Sequence, residues 1–266
     1  MTLSLTPGRA TAVAGALTTR LAASLARTMV LMGINVVGAD MVVVAGNTID
    51  GIAAGEGDTL RYAYGIFVGA CVDAKIYGNL VARVGSAANG GAGYGIGCAM
   101  WQDAVSVTNN TVRSGELAET RPAWTPITMV GSAGHTVNML RSTETTAGTW
   151  TFVGEGAYLR AAKPSGNVEL TGNILNGGTE DPALTVVTSG DVILGGNRCL
   201  QPAEADREAA RINAATVVAH GNRLKGGRPS LIITARSGAT AVGNITSGGI
   251  QINGNQIPND AINPIG

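Results

Sequence analysis

The phrase that decides the fold first reads Met41-Val42-Val43-Val44-Ala45-Gly46-Asn47-Thr48-Ile49. A short run of β-branched and other apolar residues leads into a Gly-Asn pair, and a second apolar run follows. Such a pattern is typical of two short strands joined by a tight bend. The phrase recurs along the chain with asparagine at the equivalent place, giving the series Asn47, Asn79, Asn110, Asn173, Asn197, Asn222 and Asn244.

The spacing of these asparagines defines a repeat. The first steps are 32 and 31 residues, the next is 63, and the last three are 24, 25 and 22. We interpret the step of 63 residues as two periods, with one degraded copy near residues 137–142. A second apolar phrase lies between copies, as in Tyr64-Gly65-Ile66 and Tyr94-Gly95-Ile96, so each period holds at least two strands.

A repeat of this kind cannot bury its apolar side alone, but it can do so when it stacks on a copy of itself. Equivalent strands of successive copies then pair in parallel, about 4.8 Å apart. Stacked asparagines at the bend can bond to one another and to inward-pointing backbone groups. The sequence therefore predicts an all-β, single-stranded parallel β-helix of about eight coils, with the seven asparagines as a structural ladder.

The N-terminal segment departs from this pattern. Residues 7–29 carry an apolar residue at every fourth position from Val13 to Leu25, which is typical of an amphipathic helix. Such a helix would cover the exposed strand edge at one end of the stack. The predicted organisation is an N-terminal capping α-helix over residues 1–32, the parallel β-helix over 33–258 and a C-terminal tail over 259–266.

Composition narrows the range of functions. The formal net charge is zero and only 14% of residues are charged, so we expect no nucleic-acid partner. Two histidines, and three cysteines (Cys71, Cys98 and Cys199) at no ligand spacing, predict neither a metal site nor a cofactor. The apolar runs are too short to predict membrane insertion or a classical signal peptide. The compartment stays open between the cytoplasm and release as part of a larger assembly.

Binding residues are expected in the longer connections that follow the asparagine bend. Loops lengthened on one side of a repeat scaffold are common sites of binding. The first such connection carries Arg61 and Tyr62, and the third carries Arg121 and Trp124. These four residues are the predicted ligand-binding set. The alternative for the two aromatic residues is that they cover the flank of the coil.

The repeated phrase resembles the right-handed parallel β-helix repeats of the pectin-lyase-like superfamily, over roughly residues 33–257. The stretch from Gly221-Asn222 to Gly243-Asn244 also looks like the end of uncharacterised bacterial members. The resemblance implies right-handed coiling. Enzymes of the superfamily place acidic and basic residues together on one outward face, but Tyr64-Gly65-Ile66-Phe67 continues as Val68-Gly69, without the Asp-Pro-His of the epimerases. We therefore predict no catalytic residues.

Three functions remain as hypotheses. The first is a non-catalytic structural or binding protein, a rigid rod or spike-like module that forms homo-oligomers, with a trimer as one form, or binds a surface polysaccharide. The second is a polysaccharide-active lyase, hydrolase or epimerase with its site on the loop face. The third is a carbohydrate-binding module that uses Tyr62, Arg121 and Trp124.

Overall fold

The structure is a computed structural model. It describes residues 30–37, 39, 41–54, 62–69, 71–86, 92–113, 123–131, 165–203 and 205–258, together with five short strands elsewhere. Within these residues, all regular structure is β. The strands are, in chain order, β1 (Val13–Ala14), β2 (Val30–Val37), β3 (Met41–Ala45), β4 (Thr48–Ala54), β5 (Tyr62–Gly69), β6 (Asp73–Tyr77), β7 (Leu80–Ser86), β8 (Ala92–Ala99), β9 (Ala104–Thr108), β10 (Thr111–Arg113), β11 (Trp124–Val130), β12 (Val137–Met139), β13 (Arg141–Thr146), β14 (Thr149–Phe152), β15 (Tyr158–Arg160), β16 (Asn167–Thr171), β17 (Ile174–Asn176), β18 (Leu184–Val187), β19 (Val192–Gly195), β20 (Arg198–Leu200), β21 (Ala210–His220), β22 (Arg223–Lys225), β23 (Leu231–Val242), β24 (Ile245–Thr246), β25 (Ile250–Ile252) and β26 (Asn255–Gln256).

Except for β12 to β15 and β26, these strands stack in three parallel ladders. The first ladder runs β2-β5-β8-β11-β18 and continues into the first halves of β21 and β23 and into β25. The second runs β1-β3-β6-β9-β16-β19 and continues into the second halves of β21 and β23. The third runs β4-β7-β10-β17-β20-β22-β24. The chain visits the ladders in turn, so the fold is a solenoid-like stack of parallel strands, as the repeat predicted.

The core lies between the ladders and is built from aligned columns of aliphatic side chains. One column of the first ladder places Ile34, Ile66, Ile96, Ile127 and Leu184 in register, and all five are buried. Burial of one such side chain stabilises a fold by about 1.5–3 kcal/mol. Because each of these inward-facing side chains lies beside its equivalents on the neighbouring strands, the core is continuous along the stack.

The interval of 63 residues between Asn110 and Asn173 is one repeat with an insertion, so the interpretation as two periods is wrong. Strand β9 pairs directly with β16, with Val105 opposite Val168. The strands of the insertion pair with one another instead, as antiparallel β12–β15 and β13–β14. The chain rejoins the stack at Gly166, whose N–H donates to the Gln102 carbonyl at 2.9 Å.

The predicted N-terminal cap and C-terminal tail lie mostly outside the described residues. The capping helix falls outside the described residues, except that Val13–Ala14 form strand β1, paired in parallel with Val44–Ala45 of β3. Strand β2 already begins at Val30, three residues before the predicted boundary. The tail over 259–266 lies outside the described residues.

The Asn253-Gly254 pair makes a different bend from the Gly-Asn pairs earlier in the chain. Asn253 (φ 49°) and Gly254 (φ 81°) form a hairpin turn, and β26 folds back antiparallel onto β25. Two consecutive residues with positive φ are characteristic of a type I′ turn, for which Asn-Gly is the preferred sequence. Strand β26 therefore pairs with the edge of β25.

Candidate functional site

The predicted asparagine ladder is the most extensive polar structure in the described core. All seven asparagines are buried, and each of the six contacts between neighbours repeats one geometry. The Oδ1 atom of one asparagine accepts two hydrogen bonds, from the backbone N–H and the Nδ2 of the preceding asparagine. The donor–acceptor distances are 2.8–3.1 Å throughout.

The same side chains also serve the backbone of the strands. From Asn79 onward, each Nδ2 donates to the carbonyl of an inward-facing residue one repeat earlier, as Asn79 does to Val44 at 3.0 Å and Asn173 does to Val107 at 2.7 Å. Those carbonyls belong to the last residue but one of each strand, next to the bend. The ladder thus satisfies groups that water cannot reach, and an unsatisfied buried group costs about 1–3 kcal/mol.

The residue before each asparagine has positive φ, which is why glycine precedes most of them. Gly46, Gly78, Gly172, Gly196, Gly221 and Gly243 have φ of 60–67°. Asn109 takes the equivalent place before Asn110 with φ 54°. Asparagine is the residue that best tolerates this conformation after glycine, so the copy at 105–112 keeps the bend without a Gly-Asn pair.

The ladder ends with an unused acceptor. Asn47 is 1% exposed, yet its Oδ1 has no hydrogen-bond donor among the described residues. Its own N–H and Nδ2 are both bonded to Asn79. At every later rung the equivalent oxygen accepts two hydrogen bonds, so Asn47 marks the end of the ladder within the described chain.

The outer surface of the first ladder carries an aromatic cluster, which we define as Tyr62, Tyr64, Phe67 and Tyr94. The rings of Tyr64 and Tyr94 stack with centroids 4.7 Å apart and an interplanar angle of 17°. Phe67 meets Tyr64 edge-on at 5.2 Å, and Tyr62 lies 6.4 Å from Tyr94. The stack follows from register, since Tyr64 of β5 lies directly opposite Tyr94 of β8.

Gly97 has no side chain, and this leaves the space that the Tyr64 and Phe67 rings occupy. A Cβ at Gly97 would lie 2.6 Å from Cε1 of Tyr64 and 3.2 Å from Cδ2 of Phe67. The Tyr64 ring therefore occupies space that a side chain at position 97 would fill. Tyr62, at 39% exposure, leaves part of the cluster open to solvent. Open aromatic faces of this kind can stack on sugar rings or on other flat apolar surfaces.

Burial shifts the pKa values of titratable groups in and around the aromatic cluster. Burial, followed by the neighbouring Tyr94 and Tyr62, raises the pKa of Tyr64 to about 12. Burial also raises the pKa of Tyr94, and the Asp181 carboxylate contributes to that shift. The pKa of Asp181 is itself raised by burial, which the Arg207 guanidinium partly offsets. The cluster therefore has one carboxyl group nearby that holds its proton more tightly than usual.

The structure describes two of the four predicted binding residues, Tyr62 and Trp124. Tyr62 is 39% exposed and belongs to the aromatic cluster. Trp124 is 1% exposed, and its Nε1 donates to the carbonyl of Asn176 at 2.8 Å. Its ring therefore packs in the core and offers no open face, which agrees with the alternative that it covers the coil. Arg61 and Arg121 lie outside the described residues.

Sequence reasoning missed three members of the cluster. The signal was the repeated Tyr-Gly-Ile phrase at Tyr64 and Tyr94, which we used only to locate strands. Gly97, three residues after Tyr94, was a second signal, because it leaves room for a ring. Nothing in the sequence pointed to Asp181.

Metal ligands and thiols are further groups that could carry chemistry in the described part of the chain. No group of three or more His, Cys, Asp or Glu side chains there is placed to hold a metal ion. The three cysteines are buried and unpaired with one another. Among the described residues, no helix has the length and apolar character needed to cross a membrane.

Comparisons with protein-family models, curated proteins and solved structures found no match for this chain.

Proposed function

We propose that the chain is a non-catalytic structural or binding protein, a right-handed parallel β-helix of about eight coils related to the pectin-lyase-like repeats. In this proposal it acts as a rigid rod or spike-like module that associates with copies of itself or binds a surface glycan. The observation that carries the proposal is the unbroken asparagine ladder from Asn47 to Asn244. Shared hydrogen bonds across every repeat favour a stiff rod over a set of independently moving units.

Self-association is supported by exposed aliphatic side chains that line up across neighbouring strands. Val130 and Val187 are opposite one another on the first ladder, with 51% and 40% of their surfaces exposed. Ile193 and Val218 are opposite one another on the second ladder, with 47% and 41% exposed. Each pair offers exposed apolar surface that a second rod can bury side by side.

Sedimentation analysis of the full chain tests this proposal. We expect a defined homo-oligomer, and we expect the double variant Ile193→Lys with Val218→Lys to shift it to monomer while the circular dichroism spectrum stays unchanged. Leu80→Lys is the matched control, since Leu80 is an exposed aliphatic residue on the third ladder. A monomeric wild type, or an oligomer unaffected by the double variant, would contradict the proposal.

Glycan binding would use the aromatic cluster. We expect Tyr62→Ala to lower affinity for any polysaccharide that the chain retains in affinity electrophoresis. Tyr77→Ala is the control, because Tyr77 is also exposed but lies on the second ladder, outside the cluster. Equal retention of both variants would exclude the cluster as the glycan site.

A polysaccharide-active enzyme is the alternative, and Asp181 is the observation that favours it. A half-buried carboxyl group with a raised pKa beside an aromatic surface has the character of a general acid. Reducing-end and unsaturated-product assays over a polysaccharide panel separate the two functions. Turnover by wild type that is lost in Asp181→Asn would establish the enzyme and overturn the non-catalytic proposal.

A further inference from the structure

The third ladder carries a groove that none of the preceding functions uses. It has a volume of about 310 Å³ and lies over β20, β22 and β24. Three cationic side chains line it, Arg198, Arg223 and Lys225, and all three are exposed. This is a local concentration of positive charge on a chain whose formal net charge is zero.

Register brings two of these cations together. Arg198 and Arg223 lie directly opposite one another on adjacent parallel strands, and Lys225 follows two residues along on the same face. Like charges in directly opposite positions destabilise a sheet. Within the described part of the chain, the ion pairs join Arg83 to Asp50 and Arg211 to Glu208, so none of the three groove cations pairs directly with a carboxylate.

The groove also has apolar lining residues, which indicate that its ligand has an organic part as well as a charged group. Leu200 and Ile245 supply apolar surface beside the cations, and Ser247 supplies a hydroxyl group. Ile245 pairs with Arg223 in register, so apolar and cationic surfaces adjoin along the stack. A bare ion would use only the cationic part of this groove.

We propose that this groove binds a sulfate or phosphate ester. The planar guanidinium groups of Arg198 and Arg223 can each donate two hydrogen bonds to a tetrahedral oxyanion, and Lys225 adds a point charge. The organic part of the ester packs against Leu200 and Ile245. The groove carries no aromatic side chain for base stacking, so the observations favour an ester of a sugar or small molecule over nucleic acid.

Calorimetric titration at fixed ionic strength tests the site and separates two sources of the same chemistry. Dextran sulfate is compared with neutral dextran of equal length, and glucose 6-phosphate with glucose. We expect at least one ester to bind and its neutral counterpart not to bind. Dextran sulfate alone would identify a sulfated polymer, and glucose 6-phosphate would identify a phosphorylated small molecule.

Variants locate the binding. Arg198→Gln combined with Arg223→Gln is expected to weaken ester binding by at least about tenfold, because two charge-assisted contacts are lost. Arg113→Gln is the matched control, since Arg113 is an exposed cation of the same sheet outside the groove. The substituted side chains are exposed, so circular dichroism and oligomeric state should not change.

Two results would overturn the proposal: neither ester binds, or the double variant binds as wild type does. If both esters fail and oligothymidylate binds through these residues, the groove is a nucleic-acid site instead. Because oligomeric state is measured separately, failure of this site is distinguishable from failure of the rod proposal.

Discussion

At the scale of single residues, the ladder asparagines are the side chains on which the fold depends most. Asn173 shows why: its Oδ1 accepts two hydrogen bonds from Asn110, and its Nδ2 donates to Asn197 and to the Val107 carbonyl. No apolar side chain of similar size can replace these contacts. Removal therefore leaves several polar groups buried and unsatisfied.

We predict that Asn173→Ala lowers the free energy of unfolding by about 2–5 kcal/mol, since more than one buried group loses its partner. Urea denaturation followed by circular dichroism measures the loss. Asn213→Ala is the control, because Asn213 is exposed on β21, and its effect should stay within about 0.5 kcal/mol. Equal losses at the two positions would show that the ladder contributes nothing special.

The pH dependence of stability should reveal Asp181. Its pKa is raised above 3.8 by burial, so the folded chain holds this proton more tightly than the unfolded chain. The stabilisation is then fully present below pH 3.8 and is lost as the pH rises through the folded-state pKa. We predict that Asp181→Asn melts at a higher temperature than wild type at pH 7, and that the difference vanishes below pH 3.8.

Asp206→Asn is the control for that measurement, since Asp206 is exposed. A destabilised Asp181→Asn variant at pH 7 would mean that attraction to Arg207 outweighs the cost of burying the carboxylate.

At the scale of elements, the insertion between β11 and β16 shows which strands belong to the stack and which do not. Its strands pair only with one another among the described pairings, while β9 and β16 meet directly. Comparable connections elsewhere are three residues long, between β2 and β3 and between β5 and β6, or four residues long, between β18 and β19. The stack itself needs no more than a turn at this place.

We predict that replacing residues 132–164 with a turn of four residues leaves a folded chain with the same cooperative unfolding transition. Circular dichroism and urea titration of the shortened chain check this. If the interval were two coils, removal of these residues would delete a coil and expose the strands on either side, and the transition would broaden or disappear.

The sequence predicted the repeating elements well because most bends of the ladder use the same two residues, glycine followed by asparagine. The Gly-Asn pair located six of the seven bends, and asparagine at 109 preserved the seventh. The insertion was misinterpreted because its length is close to that of a repeat, and spacing alone cannot distinguish the two. Trp124 was misplaced for a different reason: its ring fits over Gly93 of the neighbouring strand, and that pairing is visible only in register.

At the scale of the whole molecule, the three buried cysteines show how well the interior of the stack is shielded from solvent. Burial raises the pKa of Cys71 and of Cys199 to about 12 and raises the pKa of Cys98 well above its ordinary value. Their thiolate fractions near neutral pH are therefore very small. The three residues lie in different repeats, so together they sample the length of the stack.

We predict that a thiol reagent at pH 8 labels the native chain at least about a hundredfold more slowly than the urea-unfolded chain at each of the three cysteines. Mass spectrometry of the labelled peptides distinguishes the sites. Rapid labelling of one cysteine in the native chain would show that its repeat opens independently of the others.

The fold rests on asparagines far apart in the sequence that bond to one another inside one stack. A double-mutant cycle on Asn110 and Asn173, which are 63 residues apart, measures one of these contacts. We predict that the double alanine variant loses less stability than the sum of the single variants, with a coupling of about 1 kcal/mol or more. The cycle on Asn47 and Asn244, at opposite ends of the ladder, should be additive. Additivity at Asn110 and Asn173 as well would contradict the ladder and the stack built on it.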